Sequence, residues 1–349
     1  MLNPLGLSVY VSTFESQMFN LEALKDKNSY IFTSFHISEE INDAYVGKAK
    51  AMCKWLQQHK FNVIADISPK TLQIFGQKDP LHFAKEMGVS VLRLDYGFDV
   101  QEVKRIAKQI PVAFNASTIN LANPFTYEAQ GLYAMHNFYP RPETGLDRQL
   151  FETINQAIKQ NGSTQIVAFI SGDDILRGPI FEGLPTLEGH RDLLPYVAYL
   201  DFIKNSSVDQ VFIGDVSISS EQLHMIEDYR ANRVITLPVR FESNYEYLYG
   251  HTYTIRIDSP SGIMRLQESR EFASKGKMIK AQYCSERNRG KITMDNEAYQ
   301  RYSGEVQIMR NHYPKDERVN VIGGIVESYV PLVDCIKNGD KIRFVKSSD

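Results

Sequence analysis

Cysteine is scarce in this chain: only Cys53, Cys284 and Cys335 occur, far apart and odd in number. That excludes a disulfide framework and zinc-type pairs, and it predicts reduced thiols serving as small buried hydrophobes rather than nucleophiles. Basic excess is missing too, since 39 Lys and Arg face 42 Asp and Glu for a formal net charge of -3. Neither nucleic acid nor a membrane surface is therefore expected as a partner. Met1-Leu2-Asn3-Pro4-Leu5-Gly6 is not a basic stretch leading into an apolar run, and no later window is apolar for long enough to span a bilayer. A cytoplasmic protein is expected.

Several catalytic signatures are also lacking. No Gly-x-Gly-x-x-Gly follows the first strand-like run, which argues against a nucleotide-binding open sheet. The histidines are scattered with no helical His-x-x-x-His, and the carboxylates come singly from different segments, so no metal is expected. No strand-end lysine suggests a Schiff base and no serine elbow is present, and no cofactor is expected.

What is there is a normal globular balance, 43% hydrophobic and 23% charged, in 349 residues, enough for two cores. The first two thirds repeat a short apolar run, a polar or Gly break, and a segment of helical period. Strands are expected at Leu7–Val11, Tyr30–Ser34, Asn62–Ile67, Val91–Leu94, Val112–Asn115, Gly131–His136, Gln165–Ile170 and Gln210–Ile213. Helices are expected at Asn42–Gln58, Leu81–Met87, Val100–Gln109, Asp147–Gln160, His190–Lys204 and Ser220–Arg230. Apolar runs with little alternation indicate strands covered on both faces, and eight β-α units predict an α/β fold, a (β/α)8 TIM-like barrel over residues 1–234. Residues 235–349 read as mainly β, with runs at Tyr253–Ile257, Val306–Met309, Val319–Ile325 and Lys341–Val345, and Thr236–Arg240 as the connector.

In such a barrel the loops after the strands build the active site, so the polar residues there are the ones to weigh. They include Tyr10, Ser34 with His36, Asp66, Arg93 with Asp95, Asn115, and Gly214-Asp215. Arg93 and Asp95 alternate on one strand face and are expected to point inward, either as site residues or as a structural ion pair. Ser68, Asp99 and Ser219 read as helix caps. The densest cluster is His136-Asn137-Phe138-Tyr139-Pro140-Arg141, whose imidazole, amide, phenol and guanidinium suit sugar recognition. A long Gly-rich loop follows the seventh strand, carrying Arg177, Glu182, Thr186, Glu188, His190 and Arg191. Thr186 reads there as a helix cap, Glu188 as either a helix-start acid or a substrate-binding residue, and His190 as substrate-binding. With other chemistries set aside, acid-base catalysis by carboxylates remains, with Asp95, Glu182 and Asp215 as candidates and Asp66 behind them; glycoside hydrolysis uses such a pair.

These residues resemble the bacterial 6-phospho-N-acetylmuramidases, long labelled outer-surface-protein-like. The resemblance rests on Gly6-x-Ser8-Val9-Tyr10, Arg93-x-Asp95-x-Gly97, His136 to Pro142 with Thr144-Gly145, Gly183-Leu184-Pro185-Thr186-Leu187-Glu188-x-His190-Arg191 and Gly214-Asp215. It continues through Ser269-Arg270, Arg289-Gly290-x-Ile292-Thr293-x-Asp295-Asn296, Tyr299, Tyr302 and Asn320-Val321-Ile322-Gly323. It implies a β/α barrel followed by a small cyclophilin-like β-barrel, and cytoplasmic hydrolysis, in peptidoglycan recycling, of N-acetylmuramic acid 6-phosphate linked β-1,4 to N-acetylglucosamine. Such a substrate carries a phosphate and a lactyl carboxylate, so arginines are expected: Arg141 and Arg191, and from the second domain Arg270 or Arg289. Tyr139 would stack, and Asn115, His136 and Asn137 would address hydroxyl and acetamido groups. The second domain would either roof the site or pair two copies into a homodimer. A sugar-phosphate isomerase or aldolase, and a non-catalytic sugar-phosphate-binding protein, are the rival readings.

Overall fold

The computed structural model describes residues 5–35, 41–94, 97–119, 129–160, 162–274 and 278–347, with side chains for all of these except 271–274. Two compact units divide the chain, Met1–His224 and Met225–Asp349. In the first, eight parallel strands close into a TIM-like barrel in chain order, with the last pairing the first. They are β1 (Gly6–Ser8), β2 (Tyr30–Ser34), β3 (Asn62–Ile67), β4 (Val89–Leu94), β5 (Val112–Asn115), β6 (Leu132–Met135), β7 (Gln165–Ile170) and β8 (Gln210–Ile213). The helices are α1 (Met18–Leu24), α2 (Tyr45–Gln58), α3 (Pro69–Ile74), α4 (Pro80–Met87), α5 (Val100–Ala107), α6 (Arg148–Gln160), α7 (Pro195–Asn205) and α8 (Ser220–Asn232).

The barrel is filled by inward side chains, among them Phe32, Ile64, Val91, Val167, Phe169 and Phe212. Burying each large one contributes about 1.5–3 kcal/mol. Gly6 is dictated by that filling, because a Cβ there would lie 2.4 Å from the Phe212 ring. At the strand starts, the hydroxyls of Tyr30 and Tyr133 hydrogen-bond at 3.2 Å.

Local chemistry sets the helix starts. Asp99 Oδ1 accepts the amides of Gln101 and Glu102 at 2.8 and 2.9 Å, capping α5, and Ser68 with Thr71 forms a reciprocal capping box on α3. Ser219 Oγ accepts the Gln222 amide at 3.4 Å and donates to Asp173 at 2.7 Å. Helix α7 begins later than expected, at Pro195, which suits the first turn because it has no amide to leave unsatisfied.

The second unit holds a seven-stranded sheet in the order β10-β15-β9-β14-β12-β13-β11. Its strands are β9 (Val234–Phe241), β10 (Thr252–Thr254), β11 (Ile263–Arg265), β12 (Lys291–Asp295), β13 (Val306–Met309), β14 (Val319–Ile325) and β15 (Lys341–Lys346), with helices α9 (Gln267–Ser274) and α10 (Leu332–Cys335). The connector expected at Thr236–Arg240 is instead part of β9, inside the sheet between β14 and β15. Pro238 lacks an amide and argues against a central strand. Here its carbonyl accepts the Val326 amide at 3.0 Å, while Leu237 and Val239 beside it are fully buried. Cys53 and Cys335 are buried as expected, and burial pushes the Cys53 thiol up to about 12. Cys284 is only half-buried, beside the carbonyl of Glu317. Among the described residues no helix is long and apolar enough to cross a membrane.

Candidate active site

At the C-terminal mouth of the barrel, register brings two neighbours together: Asp66 of β3 lies opposite Arg93 of β4. Arg93 Nη1 donates to Asp66 Oδ2 at 2.8 Å, and Arg93 Nη2 donates to Asn137 Oδ1 at 3.2 Å. These three residues line a cavity of about 300 Å³. Its walls are aromatic, from Tyr10, Phe32, Phe138 and Phe169, and its polar groups come from Ser34, Asp66, Arg93, Asn137 and Arg177. Apolar faces with a few convergent polar groups are what a sugar ring requires. Among the described residues, Asp66 is the carboxylate that lines the cavity.

The cluster after β6 divides its labour. Asn137 and Phe138 face the cavity, and Phe138 packs edge-on against Phe32 and Phe169. His136 borders the cavity too, but its ring is spent inside the protein: Nε2 bonds Asn155 Oδ1 at 2.8 Å and Nδ1 bonds Ser117 Oγ at 3.2 Å. Burial lowers its pKa to about 4, so the ring is a neutral strut. Ser117 Oγ in turn accepts the Asn137 amide at 2.9 Å, which places Asn137 for Arg93. Asn115 Oδ1 accepts the Ser117 amide at 3.0 Å, a local turn bond rather than a contact facing the cavity. Tyr139 docks through its amide on the Pro185 carbonyl at 3.0 Å; its neighbour Phe138 supplies the aromatic wall expected of it. Arg141 is exposed and outside the cavity lining.

The loop after β7 is tied down by Asp215, Thr186, Glu188 and Arg191. Asp215 is 1% exposed and accepts three backbone amides: Gly172 at 2.9 Å, Arg177 at 2.9 Å and Leu184 at 3.1 Å. Burial pushes its pKa up while those amides oppose the shift. Asp215 is absent from the cavity lining and anchors the loop. Glu182 is exposed, also away from the lining, and its carbonyl accepts from Arg191 Nη1 at 3.0 Å. Thr186 is no helix cap: fully buried, its hydroxyl accepts the Phe169 amide and donates to the Asn137 carbonyl, both at 2.9 Å. Glu188, read as a helix-start acid, accepts the amides of Glu143 and Gly145 at 2.8 and 2.7 Å. Arg191 joins it and reaches the carbonyls of Gly183, Tyr139 and Arg141 at 3.1, 3.1 and 3.3 Å. These bonds consume its donors, so it is a clamp between loops and not a receptor.

His190 sits outside the cavity, its ring against Phe202 and its Nε2 2.6 Å from Asp201 Oδ2. Burial lowers its pKa. In the second unit Arg270 is exposed on α9, and Arg289 is committed to Asp334 at 2.7 Å and to the Arg310 carbonyl at 3.2 Å. Asp95, like His36, lies outside the described residues. Of the expected site residues, the structure thus gathers Tyr10, Arg93, His136 and Asn137 around one cavity. Arg177, which the sequence presents only as one residue of its loop, joins them; its signal is that it is the sole basic residue between Gly172 and Gly189.

Two family models match the chain: one described as 6-phospho-N-acetylmuramidase, N-terminal, over residues 5–228, and one as 6-phospho-N-acetylmuramidase, C-terminal, over residues 235–345. No curated protein matches. The chain is similar to a conserved protein of unknown function from Enterococcus faecalis, 32% identical, with 99% of this chain and 97% of that one covered and a TM-score of 0.87. It is also similar to an uncharacterized B. cereus protein, 26% identical, with 99% and 100% covered and a TM-score of 0.80.

Proposed function

We propose, from the premise that this chain belongs to the 6-phospho-N-acetylmuramidase family, that it hydrolyses the β-1,4 bond between N-acetylmuramic acid 6-phosphate and N-acetylglucosamine. The observation that carries this is the aromatic-walled cavity at the barrel mouth, lined by the Asp66–Arg93 pair and with Arg177 among its polar groups. Hydrolysis breaks the glycosidic C–O bond, adds water, and needs a proton delivered to the leaving oxygen while positive charge at the anomeric carbon is stabilised. Asp66, oriented by Arg93, is the carboxylate for that charge or for orienting the substrate's acetamido group. Asp95, two residues after Arg93, is the proton donor in this reading. Phe138 offers an aromatic wall to the sugar rings, and Asn137 offers an amide to hydroxyl or acetamido groups. The same reading puts the reaction in the cytoplasm, in peptidoglycan recycling, and takes the seven-stranded unit as the family's cyclophilin-like domain.

Incubating the purified protein with the phosphorylated disaccharide and following products by mass spectrometry tests it. Release of N-acetylglucosamine and N-acetylmuramic acid 6-phosphate is expected. Rearranged or carbon–carbon cleaved products would move the assignment to an isomerase or aldolase, and binding without turnover to a sugar-phosphate-binding protein.

A further inference from the structure

The cavity holds two guanidinium groups in different states. Arg93 is neutralised by Asp66 at 2.8 Å. Arg177 makes no such pair: its guanidinium carbon lies 3.5 Å from the Tyr10 ring centroid and 6.0 Å from that of Phe138, its side chain has no hydrogen bond or ion pair to any described residue, and Asp215 feels its charge only through space. A contact of 3.5 Å is made by the flat face of the group, so the N–H donors at its edge stay clear of the ring.

The position of this cation is imposed by the fold. Asp215 Oδ1 holds the Arg177 amide at 2.9 Å, while Oδ2 holds Gly172 and Leu184, one on each side of Arg177 along the loop. A buried carboxylate thus fixes the backbone that presents to an aromatic cavity a guanidinium with no ion pair among the described residues. Donors lining such a space are satisfied by a ligand with paired oxygens and negative charge, which a guanidinium grips in a fork.

We propose that Arg177 is the receptor for an oxyanion of the substrate, selecting a charged sugar over a neutral one, with Asp215 as its positioning residue. This rests on the phosphosugar reading given above, whose substrate has two such groups, a phosphate monoester and a lactyl carboxylate; both present the same chemistry to a guanidinium.

Calorimetric titration separates the sources. N-acetylglucosamine 6-phosphate carries the phosphate alone, N-acetylmuramic acid the carboxylate alone, and N-acetylglucosamine neither. Each is titrated into the wild-type protein, Arg177→Met and Arg177→Lys, with thermal melting to show that the variants are folded. Arg177→Met is expected to weaken one of the charged sugars by about 10- to 100-fold, with Arg177→Lys in between and the neutral sugar unchanged. The charged sugar affected identifies the group bound. Equal binding of both charged sugars to wild type and Arg177→Met overturns the proposal, as does a loss that includes the neutral sugar to the same degree, or wild type binding neither charged sugar. Arg177-dependent binding in a protein that fails to cleave the disaccharide retires the hydrolase reading alone; cleavage with Arg177-independent binding retires this inference alone.

Discussion

Arg191 and Glu188 meet in a two-pronged pair, Nε to Oε1 at 2.6 Å and Nη2 to Oε2 at 2.8 Å. The pair joins two loops, since Glu188 also accepts amides from the loop after β6 and Arg191 donates to carbonyls on both. Gly145 is required for it, because a Cβ there would lie 2.6 Å from Glu188 Oε2.

The Arg191 guanidinium and the two amides hold the Glu188 carboxyl down at about 2. A carboxyl lowered in the folded state stabilises above its unfolded pKa and loses that contribution as pH falls through the folded value. Glu188→Gln is therefore expected to lower stability by about 1–2 kcal/mol at pH 7, the pair being partly screened by solvent. The difference should shrink from about pH 4 down to pH 2. Denaturant melts of both proteins across that range measure it.

His136 is expected to stay neutral through the physiological range. Its pKa of about 4 lies below the ordinary histidine value, so between pH 6.5 and 4 the unfolded chain takes a proton that the folded one refuses, and stability declines over that window. A ring titration followed by NMR should show a midpoint near 4, and a midpoint near 6.5 would show that the ring is not buried as described.

Asp215 separates an anchor from an acid. As an anchor, Asp215→Asn loses one of its amide contacts, because its NH2 cannot accept. KM for the charged disaccharide should then rise about 10-fold with kcat within about 3-fold of wild type. Asp215→Ala strips three buried amides of their acceptor and should cost about 3 kcal/mol or more in stability. A kcat loss of about 1000-fold in Asp215→Asn with KM unchanged would mark a proton-transfer group instead.

The barrel was legible because its strands are covered on both faces. Tyr30–Ser34, Asn62–Ile67, Val112–Asn115, Gln165–Ile170 and Gln210–Ile213 keep the bounds read from their apolar runs. Strand β9 was not legible, because Pro238 sits where propensity denies a central strand and only its distant neighbours β14 and β15 override that. At the site, the polar residues were visible but their directions were not. Whether Asp215 faces a sugar or a backbone depends on Gly172, Arg177 and Leu184, each more than thirty positions away in the chain. The same holds for Asn137, whose place on the cavity depends on Ser117, and for His136, whose ring is claimed by Asn155. In the second unit, the motif residues Asn296 and Asn320 bond each other at 3.0 Å, and Ser269 holds the Val306 amide at 2.9 Å. They identify the family through parts that build the sheet.

In the proposed reaction, hydrolysis takes place in the cavity beside Asp66 and not at the exposed loop that carries Glu182. The kcat/KM of Asp66→Asn and Glu182→Gln on the phosphorylated disaccharide, with melting curves confirming both folded, tests it most directly. A loss of about 100-fold or more for Asp66→Asn with Glu182→Gln near wild type is predicted. Wild-type activity in Asp66→Asn together with its collapse in Glu182→Gln would contradict it.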